Sequence, residues 1–174
     1  PVALFVILFY SYTKRFTALC HLVLGLGLSL APIGAYIAVT GQFNIVPIFY
    51  SLTVLFWVSG FDIIYALQDE DFDKQQNLHS IPAMLGIKNA LHLSIFLHIL
   101  SAVFVILPIF YTPLSWAYYI GVFFFCAMLT YQHLLVKPTD ISKVNRAFAT
   151  TNGVASVVFA ICYFTDILLR NYFL

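Results

Sequence analysis

The chain has 174 residues, of which 62% are hydrophobic and 9% charged, and its formal net charge is +1. That composition excludes an ordinary soluble domain, and the near-zero charge leaves no basic surface for nucleic acid. Apolar runs of about 18 residues or more recur, which is the length an α-helix needs to cross a bilayer core. Cys20, Cys126 and Cys162 each sit inside an apolar run without CxxC spacing. They are expected as reduced packing thiols, not as a disulfide framework or a zinc site.

The chain opens Pro1-Val2-Ala3-Leu4, with neither an initiator methionine nor the charged flank and small-residue cleavage site of a signal peptide. A partial span is therefore expected from Pro1 to Tyr12, stopping at Lys14-Arg15, as the end of a helix that begins earlier in a longer membrane protein. Full spans are predicted from Ala18 to Val39, Ile45 to Leu67, Ala90 to Tyr111, Leu114 to Leu135 and Ala147 to Leu169. The polar stretch Gln68 to Lys88 reads as the longest connection, and prolines at Pro113 and Pro138 punctuate two others. The fold class is thus an all-α polytopic membrane protein with one partial and five full transmembrane helices.

Alternate connections collect the basic residues. Lys14, Arg15, Lys74, Lys88, Lys137, Lys143 and Arg146 fall on one side, and only Arg170 on the other. The positive-inside rule places the first side in the cytoplasm and the C-terminus outside.

Four of the seven acidic residues lie between Asp69 and Asp73, at the end of an apolar run that contains a fifth, Asp62. Carboxylates at a membrane boundary are costly unless they hold a metal, a proton or a cationic ligand. At about 100° per helical residue, offsets of seven and eleven return to within about 20°, so one continuous helix would align Asp62, Asp69 and Asp73 in a stripe. Asp69 and Asp73 are also an i, i+4 pair whose side chains can converge, while Glu70 and Asp71 point elsewhere. Hard oxygen ligands suit Mg²⁺ bridging to phosphate oxygens, and Lys14, Arg15 and Lys74 on the same face could grip that anion. A solvated acidic loop capped by lysines is the plainer alternative. A cation transporter with Asp62 and Asp69 on its path is a second, and a non-catalytic membrane subunit a third.

The segment from Gly60 to Gly86, GFDIIYALQDEDFDKQQNLHSIPAMLG, resembles the second aspartate-rich motif of the UbiA superfamily of intramembrane prenyltransferases. Its DxxxD core is Asp69 and Asp73, followed by the LHSIPA element Leu78 to Ala83. Tyr10 to Phe16 is similar to the family's YxxxK element, and Leu24 to Ala35 to its next helix. The flanks look most like the quinone-pathway branch, the bacterial 4-hydroxybenzoate polyprenyltransferases and related menaquinone enzymes.

The resemblance implies a nine-helix bundle of which residues 1–174 form the C-terminal part of a single domain. It also implies a first motif, Asn-x-x-x-Asp-x-x-x-Asp, on an earlier helix; that motif does not occur in this sequence. Carried over by position, Asp69 and Asp73 bind Mg²⁺. Lys14, and more weakly Lys74, bind a polyprenyl diphosphate, and Arg15 binds the diphosphate or an aromatic carboxylate. Tyr10 and Tyr65 stabilise an allylic cation through their ring faces, and Asp62 or Asp69 assists proton loss. The acceptor is an aromatic acid of 4-hydroxybenzoate or hydroxynaphthoate type, prenylated ortho to its hydroxyl in quinone biosynthesis, and the setting is the bacterial inner membrane.

The remaining polar residues carry structural expectations. His79 orders the motif loop. His21, His92, His98 and His133 show no i, i+3 or i, i+4 spacing that would suggest a shared metal. Asp140 and Asp166 read as loop and span-end residues, and Asn152-Gly153 as a helix-packing element.

Overall fold

Helix ends in this chain follow local chemistry closely. The computed structural model describes residues 2–173, so the expected start at Pro1 lies outside the described residues. Helix α1 (Val2–Thr13) is a short apolar helix. Helix α2 (Cys20–Thr40) ends on Gly41, whose φ of 65° lets its N–H turn back to the carbonyl of Ile37. Helix α3 (Ile45–Ala66) begins on the Asn44 cap, whose Oδ1 accepts the Val46 N–H at 2.9 Å.

A 3₁₀ turn over Leu67–Asp69 then leads into the short helix α4 (Glu70–Gln75). Helix α5 (Ile81–Ile106) opens with a short turn, capped by Ser80 through the Ala83 N–H and holding Pro82, and its continuous part follows Gly86, near the expected Ala90. It is interrupted at Gly86 (φ 74°, ψ 162°), a conformation that favours glycine. Helix α6 (Trp116–Leu135) and helix α7 (Thr151–Phe173) complete the chain, the latter entered through a π-turn at Arg146–Thr150.

Five helices, α2, α3, α5, α6 and α7, are long and apolar enough to cross a membrane, and no strand occurs among the described residues. The expected all-α polytopic architecture is observed. Large apolar side chains such as Phe96, Phe123, Ile161 and Phe164 remain exposed on the outer faces, as a lipid-facing surface requires.

In lipid, helices associate through small residues and interhelical hydrogen bonds. Ser94 donates to the Gly60 carbonyl at 2.7 Å and Ser101 to the Thr53 carbonyl at 2.9 Å, joining α5 to α3. Gly60 is required there, since a Cβ would strike the His98 ring. Helices α1, α2, α3 and α5 pack in succession, α6 pairs with α7, and the Arg146–Thr150 turn rests on α3. One apolar core, around Ile63, Ile64, Leu67, Leu91 and Val144, underlies the acidic end of α3. A second, around Tyr118, Val122, Phe125 and Ala155, fills the opposite half.

Candidate functional site

The α1–α2 link and the α4–α5 link meet at the acidic end. Beyond α4 the chain reverses at Asn77, whose φ of 51° is tolerated by asparagine, and the Leu78 N–H bonds the Asp73 carbonyl at 2.8 Å. The His79 N–H then reaches the Lys14 carbonyl at 2.7 Å, and the Cys20 thiol lies 3.7 Å from the His79 carbonyl. His79 thus orders the motif loop through its backbone.

These contacts set Lys14 Nζ 2.8 Å from Asp73 Oδ1, with the Asp73 side chain fully buried and that of Lys14 29% exposed. Asp73 Oδ2 is buried without a hydrogen-bond partner.

Asp62 faces α2 instead. His21 Nδ1 lies 2.7 Å from Asp62 Oδ2, while His21 Nε2 accepts the Ile81 N–H at 3.4 Å. The second contact assigns the tautomer: a proton on Nε2 would oppose the amide proton, so the proton belongs on Nδ1 and is donated to Asp62.

The straight stripe of Asp62, Asp69 and Asp73 is not formed. It required one continuous α-helix, and the 3₁₀ turn over Leu67–Asp69, with Asp69 at φ −99° and ψ 2°, breaks the 100° periodicity. Asp62 turns to His21, Asp73 is buried against Lys14, and Asp69 stays half-buried with no ion pair among the described residues.

Lys74 extends to Glu70 at 2.6 Å on the surface of α4. The Arg15 guanidinium lies over the Tyr12 ring at 5.8 Å and borders a cleft of 450 Å³ with Phe72, Gln76, Asn77 and Leu78. Tyr65 packs against Phe148 with ring centroids 4.3 Å apart. Tyr10 is half-buried in the last turn of α1, where its carbonyl accepts the Thr13 hydroxyl.

Three polar clusters escaped the sequence reading. His98 Nδ1 lies 2.8 Å from His133 Nε2, a pair built from α5 and α6 that spacing along one helix cannot reveal. Trp57 donates to Asn152 at 3.1 Å and Gln132 also donates to that oxygen, so Asn152 ties α3, α6 and α7 together. Asp166, expected only as a span-end residue, is fully buried. It accepts the Ser115 N–H at 2.6 Å, capping the start of α6, and pairs with Arg170 at 2.9 Å. The i, i+4 spacing of Asp166 and Arg170 was the available signal.

A cavity of 710 Å³ lies in the opposite half of the bundle, lined by Tyr50, Val54, Trp57, Phe125, Phe159 and Tyr163 among others, with Arg170 at its border. It touches none of the acidic residues of the DxxxD segment. The acidic end carries the polar chemistry and the cavity supplies apolar volume.

No three His, Cys, Asp or Glu side chains converge on a metal-sized point among the described residues. Asp69 and Asp73 nevertheless fit a hard divalent ion, because they supply carboxylate oxygens of which one, Asp73 Oδ2, is buried and unpartnered. They suit two ligands of a larger set.

The chain resembles known proteins along almost its whole length. It is 27% identical over 158 residues to a 4-hydroxybenzoate octaprenyltransferase of Francisella tularensis subsp. novicida, covering 91% of this chain and 55% of that protein. It is 28% identical over 151 residues to a protein of the same name from Tolumonas auensis, covering 87% of this chain and 52% of that protein. Among solved structures, the apo structure of a UbiA homolog from Aeropyrum pernix K1 superposes with a TM-score of 0.84 at 26% identity, covering 96% of this chain and 62% of that one. The chain thus spans about half the length of the curated relatives it matches. The model of the UbiA prenyltransferase family matches residues 1–163, and with the fold in agreement, the chain belongs to the UbiA prenyltransferase family.

Proposed function

We propose that the whole protein transfers a polyprenyl group from a polyprenyl diphosphate to the ring carbon ortho to the hydroxyl of an aromatic acid, of 4-hydroxybenzoate or hydroxynaphthoate type, in quinone biosynthesis. The observation that carries this reading is the Lys14–Asp73 pair, four residues along from half-buried Asp69: a cation for the diphosphate and two carboxylates for a metal, at one end of an apolar bundle. The names of the similar proteins support the substrate class. In this reading residues 1–174 are the C-terminal part of a single UbiA-type domain, and an earlier helix with the first aspartate motif completes the metal set.

Lys14, with Arg15 next to it, holds the diphosphate by charge-assisted hydrogen bonds. Lys74, turned toward Glu70, is a weaker contributor. Asp69 and Asp73 would hold a divalent ion, Mg²⁺ in this reading, which would neutralise charge on the departing diphosphate. Tyr10 and Tyr65 offer ring faces to the allylic cation, and Asp62 or Asp69 accepts the ring proton. The aromatic cavity takes the isoprenoid chain. The seven basic residues at the acidic end support a reading in which that end faces the cytoplasm of a bacterial inner membrane, with the C-terminus outside. A cation pathway has less support, because Asp62 is held by His21 and the carboxylates from Asp69 to Asp73 gather at one end of the bundle.

The test is prenyl transfer in membranes containing the whole protein, with a panel of aromatic acids, comparing wild type with Asp69→Asn. Loss of product by about 100-fold or more is expected. Unchanged product would remove the metal assignment.

A further inference from the structure

His21 is a buried titratable group that the reaction leaves unused. Its side chain is 3% exposed, and it stands between the Asp62 carboxylate of α3 and the backbone at the start of α5. With Nε2 committed to the Ile81 N–H, the ring can only donate from Nδ1, and that proton points at Asp62 Oδ2. This fixes the orientation of Asp62, whose side chain keeps 21% exposure and whose second oxygen is left for another proton. The titratable groups facing His21 are Asp62 from α3 and Cys20 beside it on α2, and the α5 start presents the Ile81 amide. The same Asn77–Ile81 segment also grips the Lys14 carbonyl through His79, so the dyad and the anion-binding lysine share one strap.

Resting on that prenyl-transfer reaction, we propose that Asp62 is the base that removes the ring proton and that His21 is the positioning residue that orients it. After the allylic cation bonds to the ring carbon, the C–H bond at that carbon breaks, and its electron pair restores the aromatic ring. The proton goes to the free oxygen of Asp62 and then to water. One polyprenyl diphosphate and one aromatic acid become one prenylated aromatic, one diphosphate and one proton. The Nδ1–H donated to the other oxygen fixes the orientation of Asp62, so losing it lowers kcat while donor binding is unchanged.

The experiment measures kcat and donor KM of the whole protein in membranes for wild type, Asp62→Asn, His21→Ala and His21→Asn, with binding of labelled polyprenyl diphosphate in parallel. Asp62→Asn is expected to lose about 100-fold in kcat with donor KM unchanged. His21→Ala is expected to lose about 10-fold in kcat with donor KM unchanged. His21→Asn, whose amide N–H can replace the Nδ1–H, is expected to restore kcat. A His21→Ala variant with wild-type kcat, or one whose loss lies in donor KM alone, would overturn the inference while leaving the reaction in place. So would a His21→Asn variant that binds donor yet behaves as His21→Ala does. Wild-type protein that binds donor and forms no product from any aromatic acid would instead remove the reaction, and the dyad's role with it.

Discussion

Replacing Lys14 by methionine leaves the Asp73 carboxylate fully buried beside an apolar chain. At the observed 2.8 Å separation, Coulomb's law with an effective dielectric constant of about 20 gives roughly 6 kcal/mol of attraction. Desolvation of the carboxylate offsets much of this. Breaking a fully buried pair typically costs about 3–5 kcal/mol, and the 29% exposure of Lys14 lowers that further through solvent screening. We therefore expect Lys14→Met to destabilise the whole protein by about 2–3 kcal/mol. Asp73→Asn, which removes the charge and keeps the shape, should cost less. Denaturant unfolding in detergent of both single variants and the double variant yields the coupling energy, expected at about 1.5–2 kcal/mol. A coupling below about 0.5 kcal/mol would refute the ion pair as a structural element. The same variants separate stability from chemistry: the double variant should recover stability relative to Lys14→Met but remain inactive, because both the anion contact and a metal carboxylate are gone.

Two further outcomes follow from the opposite half of the bundle. Val54→Trp places a bicyclic ring in the 710 Å³ cavity, so transfer from long polyprenyl diphosphates should fall relative to short ones in a competition assay; an unchanged chain-length profile would show that the isoprenoid lies elsewhere. Asp166→Asn weakens the partnership with Arg170 and with the Ser115 cap. It should lower stability by about 1–3 kcal/mol while transfer per folded molecule stays at wild type, measured by thermal unfolding alongside product formation.

The two aspartates of the DxxxD segment show how far local reading reaches. Their identity, their place at the end of an apolar run and the basic residues nearby were all visible along the chain. Their orientation relative to Asp62 was not, because extrapolating 100° per residue assumes an unbroken helix and a 3₁₀ turn over Leu67–Asp69 intervenes. Similarly, the short capped turn at Ile81, ahead of the break at Gly86, was masked by the polarity of Gln68 to Lys88, although Ser80 and Pro82 are ordinary start signals. The dyad of His21 and Asp62 joins residues 41 positions apart, and that of His98 and His133 residues 35 apart. Only the packing of α2 on α3, and of α5 on α6, brings them together.

The membrane-spanning class, the number of full spans and the position of the acidic cluster between them were legible along the chain. Each of these is a one-dimensional consequence of apolar run length, helix-breaking residues and charge. The packing of helices and links set which group meets each carboxylate: the Lys14 and Arg170 cations pair with Asp73 and Asp166, the His21 Nδ1–H is donated to Asp62, and Asp69 has no ion pair among the described residues. In an interior that cannot solvate charge, each buried carboxylate must find a donor. That donor is whichever side chain or amide the neighbouring helices and links carry to the same depth, which no spacing along a single helix encodes.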